Sequence, residues 1–250
     1  MFRKMNDIYY NKLAEDYHQK RKKPWKSLED FLKIVNSKNV QFMGLSIDLG
    51  CANGRNFKLL HSNNTRLIGV DNSIQFLKIA YQELNDKDQF SISEKNSIHL
   101  LLSDILFLPI RPNTINNVFS IATIHHIKDK KERKNLINQI SKILKSDGYL
   151  LFSVWRKYQK DYKTYFIIDR IKRIFNTSYF KKQKELGLNE FGDKYVSWEI
   201  SKDHKPYFRF YHFFSKIEVK KLLKNYRVKE LIKLGGPNKK DNYFVIAKKG

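Results

Sequence analysis

The sequence predicts an α/β fold in which a mostly parallel sheet carries helices on both faces. Short apolar runs alternate with amphipathic helical patterns over residues 27–155, which is the rhythm of a parallel sheet. A loop of small residues follows the first apolar run, at the place where doubly wound sheets bind ligands. With 250 residues, 41% of them hydrophobic, the chain can bury one large core. We therefore expect a single domain over residues 1–250.

The charge of the chain is strongly asymmetric, with 49 Lys and Arg against 25 Asp and Glu and a formal net charge of +24. This excess favours a polyanionic partner such as nucleic acid, because cations placed on phosphates release condensed counterions. The alternative is a genomic bias toward lysine, since Asn and Ile are abundant as well.

No apolar run reaches the roughly 18 residues of a membrane span, and the chain starts without the apolar core of a signal peptide. Cys51 is the only cysteine, so neither an internal disulfide nor a cysteine metal site is expected. These features predict a cytoplasmic protein with no membrane contact and no bound metal.

Helical patterns begin the chain, over residues 6–20 and 27–36, and Ser27 is the expected N-cap of the second helix. Between them, four consecutive cations at residues 20–23 precede a proline and Trp25. This segment suits a phosphate or carboxylate beside a stacked base. The alternative is a solvated basic turn with Trp25 packed into the core.

The first strand pattern runs into the segment IDLGCANGRN at residues 47–56. Asp48 ends the strand, and Gly50 and Gly54 can take the positive φ that lets backbone approach a ligand. A helix is predicted to begin near Gly54, with its free amides facing that ligand. Asp71 ends the next apolar run, where a carboxylate suits the two hydroxyls of a ribose. A glycine-rich turn in another kind of α/β protein is the alternative.

A helix through about Leu84 is predicted next, capped by Asn72 and Ser73. Residues 85–96 are polar and predict a loop, and residues 97–102 predict a short buried strand.

Acidic and histidine side chains follow the next two strands. After the strand at residues 97–102, Asp104 could accept from the exocyclic amine of an adenine while Ile105 covers a face of the ring; a helix cap or turn carboxylate is the alternative. The strand at residues 115–122 leads to His125 and His126. Ligands lie at the carboxyl ends of such strands, so one of these histidines is expected to face the substrate. A metal pair is not expected, because adjacent side chains point apart and no further ligand follows at metal spacing.

The rest of the chain predicts a helix at residues 131–145, a fifth strand at residues 149–155 and then a break in the rhythm. The break, residues 156–206, is rich in cations and aromatics. It suits a surface for single-stranded nucleic acid, or a lid whose aromatics pack on the core. A capped helix over residues 215–225 and two antiparallel strands then close the sheet.

Together these motifs resemble class I S-adenosylmethionine (SAM) methyltransferases, whose Rossmann-like sheet has seven mostly parallel strands and an antiparallel last strand. Over nearly the whole chain the sequence is similar to the tRNA methyltransferases that esterify 5-carboxymethyluridine at the wobble position, known in eukaryotes as tRNA methyltransferase 9, with the methyltransferase part of AlkB homologue 8 as a relative. The segments that carry the likeness are Tyr10, Ala14 and Tyr17, residues 21–25, 47–56 and 120–126, Arg133, Trp155, and residues 196–198, 209–212 and 241–243.

The likeness has three departures. Cys51 and Ala52 stand where the family has a Gly-x-Gly-Asn-Gly pattern, and Ser197 replaces the proline of V-P-W. The insertion is also richer in lysine than the resemblance leads us to expect. The composition favours a prokaryotic, archaeal member. The resemblance implies SAM as cofactor, the anticodon stem-loop of tRNA as substrate, and a small zinc-ribbon activator that forms a heterodimer and extends the sheet beside residues 98–102 and 107–108. It also implies that residues 1–36 form a helical lid and residues 156–206 a substrate-binding insertion.

The candidate site residues fall into three groups. The cofactor-binding candidates are Tyr17, Asp48, Gly50, Cys51, Ala52, Asn53, Gly54, Asn56, Asp71, Asn72, Ser73, Asp104, Ile105 and Ala122. The catalytic candidates, which would clamp and orient an anionic acceptor, are Arg21, Lys22, His125, Arg209 and His212. The substrate-binding candidates are Trp25, His126, Arg133, Trp155, Trp198 and Tyr211.

Two other functions remain open from the sequence. The first is a class I methyltransferase that acts on a small molecule such as a quinone or lipid precursor, which would leave the basic aromatic insertion unexplained. The second is an inactive RNA-binding subunit with the same fold, against which the intact Asp48, Asp71 and Asp104 argue.

Overall fold

The computed structural model describes residues 2–86, 89–201 and 206–250, with side chains from Tyr10 onward. Its strands are β1 (Gly44–Leu49), β2 (Thr65–Asp71), β3 (Ile98–Leu102), β4 (Ile115–Ile121), β5 (Leu144–Trp155), β6 (Asp193–Glu199), β7 (Pro206–His212), β8 (Tyr226–Leu234) and β9 (Asn242–Lys249). Its α-helices are α1 (Phe2–Lys20), α2 (Lys26–Ser37), α3 (Phe57–Leu60), α4 (Ile74–Asn85), α5 (Ile92–Ser97), α6 (Lys130–Ile143), α7 (Lys163–Phe175), α8 (Thr177–Glu185) and α9 (Lys216–Leu222).

Within the described ranges, seven of these strands form one sheet in the order β3-β2-β1-β4-β5-β9-β8. The strands from β3 to β5 in that order run parallel, and β9 is antiparallel to both β5 and β8. This arrangement confirms the predicted α/β class and the antiparallel last strand. It also brings the carboxyl ends of β1, β2, β3 and β4 to one edge of the sheet, where a ligand site is expected.

Both faces of the sheet are buried, as the continuous apolar strands predict. The apolar stripes of α6 and α9 pack on one face, against residues such as Ile47, Val118 and Phe152. On the other face, α2, α3 and α4 pack around Phe119 and Phe244. Among the helices that the structure describes, none is both long and apolar enough to cross a bilayer.

Four local predictions differ from the structure. The second helix begins at Lys26 with Trp25 as its N-cap, not Ser27, because the Trp25 carbonyl accepts from the first free amides of the helix. The predicted loop at residues 85–96 contains most of α5, which begins with a capping box formed by Ser91 and Glu94. The helix predicted at residues 131–145 ends at Ile143, and residues 145–148 lie inside β5, where the register with β4 shifts. The helix after the small-residue loop is the single turn α3, which begins only at Phe57.

The insertion after β5 folds into α7, α8 and the hairpin of β6 and β7, and residues 202–205 lie outside the described residues. It extends past the predicted end at residue 206, because β7 runs to His212 and Phe214 pairs with Arg156 next to β5. An aromatic cluster around Phe166 and Phe213 joins it to the sheet, so much of its aromatic content is structural. The outward face of α7 is apolar and exposed, and consists of Ile167, Ile168, Ile171, Ile174 and Phe175.

Candidate functional site

A cavity of about 980 Å³ opens at the carboxyl edge of the sheet. Its walls are the loops after β1, β2, β3 and β4, one face of α1, and the hairpin of the insertion. The volume lies at the upper end of the roughly 300–1,000 Å³ typical of ligand pockets. The predicted site residues that line it are Tyr17, Gly50, Ala52, Asp71, Asn72, Asp104, Ile105, Ala122, His126, Trp198 and Arg209.

The floor of the cavity is the loop after β1, held in shape by Asp71. One carboxylate oxygen of Asp71 accepts from the Ala52 amide at 3.0 Å and the other from the Ser73 amide at 2.9 Å. Gly50 has φ +77°, and a Cβ there would lie 2.4 Å from Thr123 Oγ1, so a side chain would have to displace the wall. Ala52 also has a positive φ of 49°, so the alanine that replaces the family glycine keeps the left-handed backbone of the loop.

Asp48 and Cys51 lie beneath this loop rather than on the cavity wall. Asp48 is fully buried, and its Oδ1 has no hydrogen-bond partner among the described residues. Burial, with a smaller contribution from the charge of Asp71, raises the pKa of Asp48 to about 7. Burial likewise raises the pKa of the Cys51 thiol well above its usual value, so the thiol is an inert packing group.

The loop after β3 supplies the far end of the cavity. Asp104 lies there with Ile105, and its Oδ1 accepts from the Leu106 amide at 2.8 Å, which fixes the orientation of the carboxylate. Asn72, at the end of β2, lines the wall between Asp71 and this loop. The two strand-end carboxylates thus belong to the same cavity, as the resemblance implies for an adenosine group.

The opposite end of the cavity is formed by Arg209 and aromatic rings. The Arg209 guanidinium lies 4.6 Å from the ring centroid of Trp198 and 5.2 Å from that of Tyr211. Its Nε is buried and donates to no residue that the structure describes. Tyr17 stacks on Trp198 at 5.7 Å, so α1 and the hairpin meet at this point. The result is a cationic group in an aromatic pocket with an unused hydrogen-bond donor.

The two adjacent histidines are neutral. Nδ1 of His126 lies 3.1 Å from the Phe210 carbonyl, and since a carbonyl only accepts, Nδ1 carries the proton and Nε2 keeps a lone pair. Burial first, and then the charge of Arg209, lowers the pKa of His126 to about 3. His125 accepts from the Trp155 amide at 3.4 Å, and burial lowers its pKa well below its usual value. Arg209 therefore faces no competing imidazolium.

His125, Trp155 and Tyr211 form an aromatic layer behind the cavity wall. His125 stacks on Tyr211 at 5.0 Å, and Trp155 lies 4.5 Å from the same ring. Tyr211 in turn supports Arg209. These three predicted site residues therefore contact the groups that line the cavity without lining it themselves.

Several other predicted site residues lie away from the cavity in buried polar contacts. His212 is bonded to Asp193 at 2.7 Å, and Arg133 is paired with Glu190. Glu190, Asp193 and His212 place ligand atoms within 4.8 Å of one another. Because Arg133 contacts this group and the Lys157 Nζ donates to the nearby Phe191 carbonyl, the cluster is an ion-pair network that joins the insertion to the sheet.

The basic segment and the asparagines of the small-residue loop also lie outside the cavity. Trp25 packs at 5.1 Å on Phe244 of β9, which is the core position that the sequence left open. Asn56 accepts from the Trp25 amide at 3.1 Å, and Asn53 donates to the Arg21 carbonyl at 3.1 Å. Lys22 is paired with Glu83, and the exposed Arg21 lies at the outer edge of Trp198. Gly54 has a positive φ that shapes the loop, and Ser73 is the N-cap of α4.

Sequence reasoning missed several residues that line the cavity. Tyr10 and Leu13 share a face of α1 with Tyr17, and this spacing of three and four residues was the signal that could have found them. Lys128 and Lys184 come from segments far apart in sequence, which only the folded insertion brings together. No local pattern marks them.

Comparisons with known proteins agree with this geometry. Residues 47–152 match the model of a methyltransferase domain. The structure is similar to a SAM-dependent methyltransferase from Methanosarcina mazei, with a TM-score of 0.67 at 17% identity over 86% of this chain and 96% of that one. It is also similar to the N-methyltransferase NodS of Bradyrhizobium japonicum in complex with S-adenosylhomocysteine, with a TM-score of 0.54 at 14% identity over 89% of this chain and 85% of that one. The chain therefore has the fold of class I SAM-dependent methyltransferases, and its residues 47–152 carry a methyltransferase domain.

Two relatives of this chain are named for the same activity. The chain is 28% identical, over 96% of its length and 94% of the relative, to the tRNA (carboxymethyluridine(34)-5-O)-methyltransferase of Schizosaccharomyces pombe. It is 32% identical to the Saccharomyces cerevisiae enzyme of the same name, over 58% of this chain and 46% of that relative. The methyltransferase thus spans nearly all of one relative and about half of the other.

Proposed function

We propose that this methyltransferase esterifies the carboxylate of 5-carboxymethyluridine, or of a related wobble uridine, in the anticodon stem-loop of tRNA. The observation that carries the proposal is Arg209, a cation in an aromatic wall with a buried and unused Nε donor. A donor of this kind stabilises an anionic acceptor. The activity of the relatives in the two yeasts supports the same substrate.

The cofactor half of the cavity fits SAM. The two strand-end carboxylates and the side-chain-free Gly50 are the groups that an adenosine and its close-packed tail require. We propose that Asp71 holds the ribose hydroxyls, Asp104 the adenine amine and Ile105 a face of the ring. When bound, SAM supplies an electrophilic methyl group on a sulfonium. Tyr10 and Tyr17 of α1 would cover this half and exclude water.

The acceptor half needs no general base. Reference carboxyl pKa values lie near about 4, so the acceptor is already ionised at neutral pH. Its requirement is orientation, and we assign this to Arg209. The Nε2 lone pair of His126 can accept from an imide N–H such as that of a uracil ring. His125 and His212, which the sequence placed among the catalytic candidates, support the wall and the insertion instead.

The tRNA itself would contact the basic outer surface around this cavity. Arg21 is exposed beside Trp198, and the exposed Lys22 is paired with Glu83, so we assign both to the phosphate backbone rather than to the acceptor carboxylate. A wobble base unstacked from its loop could enter the aromatic end of the cavity, as single-stranded RNA bases commonly do in protein sites. We also propose a cytoplasmic location, where tRNA is available.

The deciding experiment is transfer of label from tritiated SAM to bulk tRNA lacking the methyl ester, followed by nucleoside mass spectrometry. We expect the label in RNA, lost on RNase treatment, and located in the methyl ester of a 5-carboxymethyluridine. Label in a small organic fraction would point to the small-molecule alternative. Saturable SAM binding without transfer to either would point to an inactive RNA-binding subunit.

We further propose that a small zinc-ribbon activator binds the β3 edge of the sheet. In the described part of the sheet β3 is an outer strand, and the exposed apolar residues Ile92, Leu102 and Phe107 surround it. Phe107, which is 64% exposed, is the best probe. Phe107→Glu should abolish copurification with a coexpressed zinc-ribbon protein, whereas Phe175→Glu on the distant α7 should not. Equal copurification of both variants would contradict this surface.

A further inference from the structure

Helix α1 connects the two halves of the cavity. On the cofactor side, Asn11 Oδ1 accepts from Ser73 Oγ at 2.6 Å, and His18 lies 3.0 Å from the Asn53 amide. On the acceptor side, Asp16 contacts the end of β6 and the residues after it. The helix therefore touches both the segment that shapes the SAM loop and the hairpin that carries Arg209.

The carboxylate of Asp16 contacts three donor groups. One carboxylate oxygen accepts from Trp198 Nε1 at 2.7 Å and pairs with Lys20 Nζ at 2.8 Å, while the other accepts from the Ser201 amide at 2.8 Å. The residue is only 6% exposed. Burial alone would raise the pKa of Asp16, but these donors outweigh it and hold the pKa well below its usual value. The group is thus a permanent carboxylate.

Trp198 transmits the position of Asp16 to the acceptor site. Its ring stacks on Tyr17 and carries the Arg209 guanidinium, and all three of these residues line the cavity. The backbone of Arg209 also pairs with Val196 of β6. A shift of the Trp198 ring therefore shifts the surface on which the guanidinium rests.

We propose that Asp16 is a positioning residue that connects α1 to the hairpin and so sets the geometry of the acceptor site. The inference rests on the proposed function, because it assigns Arg209 to the acceptor. Asp16 itself touches neither the cavity nor the reacting atoms. Its role is to hold Trp198 in a fixed position relative to α1, the helix that covers the cofactor. Arg209, which we assign to the anionic acceptor, is then held in place by Trp198.

The first test is Asp16→Asn, which keeps the shape but cannot accept from all three donors. We expect the KM for tRNA to rise at least about tenfold, as loss of a charge-assisted hydrogen bond implies. The SAM Kd, measured by calorimetry without RNA, should stay within about threefold, because that half of the cavity keeps its contacts. Asp30→Asn, an exposed carboxylate of α2 paired with Lys26, is the matched control and should change neither.

The second test is Trp198→Phe, which keeps one aromatic ring, deletes the donor to Asp16 and reduces the ring surface that contacts Tyr17 and Arg209. It should reproduce the rise in KM, and the double variant should be no worse than the more affected single variant, because both remove one contact. If the effects of the two substitutions add fully, the contact between Asp16 and Trp198 is not the connection, and the proposal fails.

A third readout does not depend on the substrate. With saturating SAM, amide hydrogen exchange in residues 193–199 and 206–212 should be faster in Asp16→Asn than in the wild type. Parallel losses of SAM affinity, tRNA affinity and melting temperature would make Asp16 an ordinary scaffold residue and overturn the proposal, as would unchanged hairpin exchange. If the wild type transfers no methyl group to RNA, the proposed function fails, while the exchange data still decide whether Asp16 holds the hairpin.

Discussion

At the scale of single residues, the site is built from groups whose charge is fixed by their surroundings. Arg209 is the cation of the acceptor end, and the neighbouring His126 is neutral because burial and that same cation disfavour its protonation. The neutral histidine adds no positive charge beside Arg209. In the proposed function, the guanidinium of Arg209 is therefore the group that would orient an anionic acceptor.

Replacement of Arg209 tests this assignment. Arg209→Ala should lower kcat/KM for tRNA by at least about a hundredfold, the loss expected when a charged hydrogen-bond partner of the transition state is removed. Arg209→Lys should recover only part of the activity, because an ammonium lacks the planar fork that stacks on Trp198. SAM affinity by calorimetry should stay near that of the wild type. A lost SAM affinity would make Arg209 a scaffold residue.

Asp48 predicts a pH-dependent stability. Its pKa of about 7 in the folded protein exceeds the usual value of 3.8, so the folded state holds the proton more tightly than the unfolded chain. The stability it contributes is complete below about pH 4 and is lost as the pH rises through 7. Over that window the loss approaches about 4 kcal/mol at most, at about 1.4 kcal/mol per pKa unit.

The contribution of Asp48 to the unfolding free energy can be measured by urea unfolding of the wild type and Asp48→Asn from pH 4 to pH 8.5, without SAM. The difference in unfolding free energy between the two proteins should change with pH in favour of the asparagine variant, with most of the change complete by about pH 8. Asp30→Asn, on α2 with its side chain 43% exposed, should follow the wild type at every pH. A difference that does not depend on pH would show that Asp48 is ionised throughout.

Residues differ in how far the sequence could predict them. Gly50, Asp71 and Asp104 were predictable because a strand end and a tight turn determine their positions locally. His212 and Arg133 were assigned to the site, whereas His212 is hydrogen-bonded to the buried Asp193 and Arg133 is paired with Glu190. The sequence does not show whether a charged side chain will be paired with another residue in the folded protein.

At the scale of elements, the loop after β1 is the most constrained part of the site. Gly50→Ala would place a Cβ 2.4 Å from Thr123 on a backbone with φ +77°. Left-handed strain alone costs of order 1–3 kcal/mol, so SAM affinity should fall at least about tenfold. Ala52→Gly is the matched control, because Ala52 already has a positive φ and loses only strain. Calorimetry that showed equal SAM affinity for the two variants would contradict the role of Gly50.

Strand positions were more predictable than helix ends and loops. The buried strands were found because their apolar runs are continuous, which the two covered faces of the sheet require. Helix α3 was expected to begin near Gly54, but it begins only at Phe57. The caps at Ser73 and Ser215 were correct because a hydroxyl followed by free amides is a local signal, and the Trp25 cap was missed because no side chain marks it.

At the scale of the whole molecule, the insertion carries an apolar surface that the sheet does not cover. Ile171 and Ile174 on the outward face of α7 are exposed, and Phe175 is 82% exposed. Ile171→Glu combined with Ile174→Glu should leave the unfolding free energy within about 1 kcal/mol, as surface substitutions do, and reduce concentration-dependent association.

Denaturant unfolding and analytical ultracentrifugation check the two parts of this prediction. Leu136→Glu, on the buried face of α6, provides the contrast and should be severely destabilised. A large loss of stability in the α7 double variant would show instead that this face is covered in solution. The sequence predicted the insertion and its basic aromatic character, but not which aromatics it buries, since that depends on how α7 meets the hairpin.

The position of β9 affects how the protein is made. This strand follows all the others in sequence, yet it lies between β5 and β8 and its first six residues are buried. While the polypeptide emerges from a ribosome, β5 has no neighbour on that side until residues 242–249 have been synthesised. From the completion of β5 at Trp155 until β9 is synthesised, the nascent chain therefore carries a strand with one unpaired edge, which can pair with other chains.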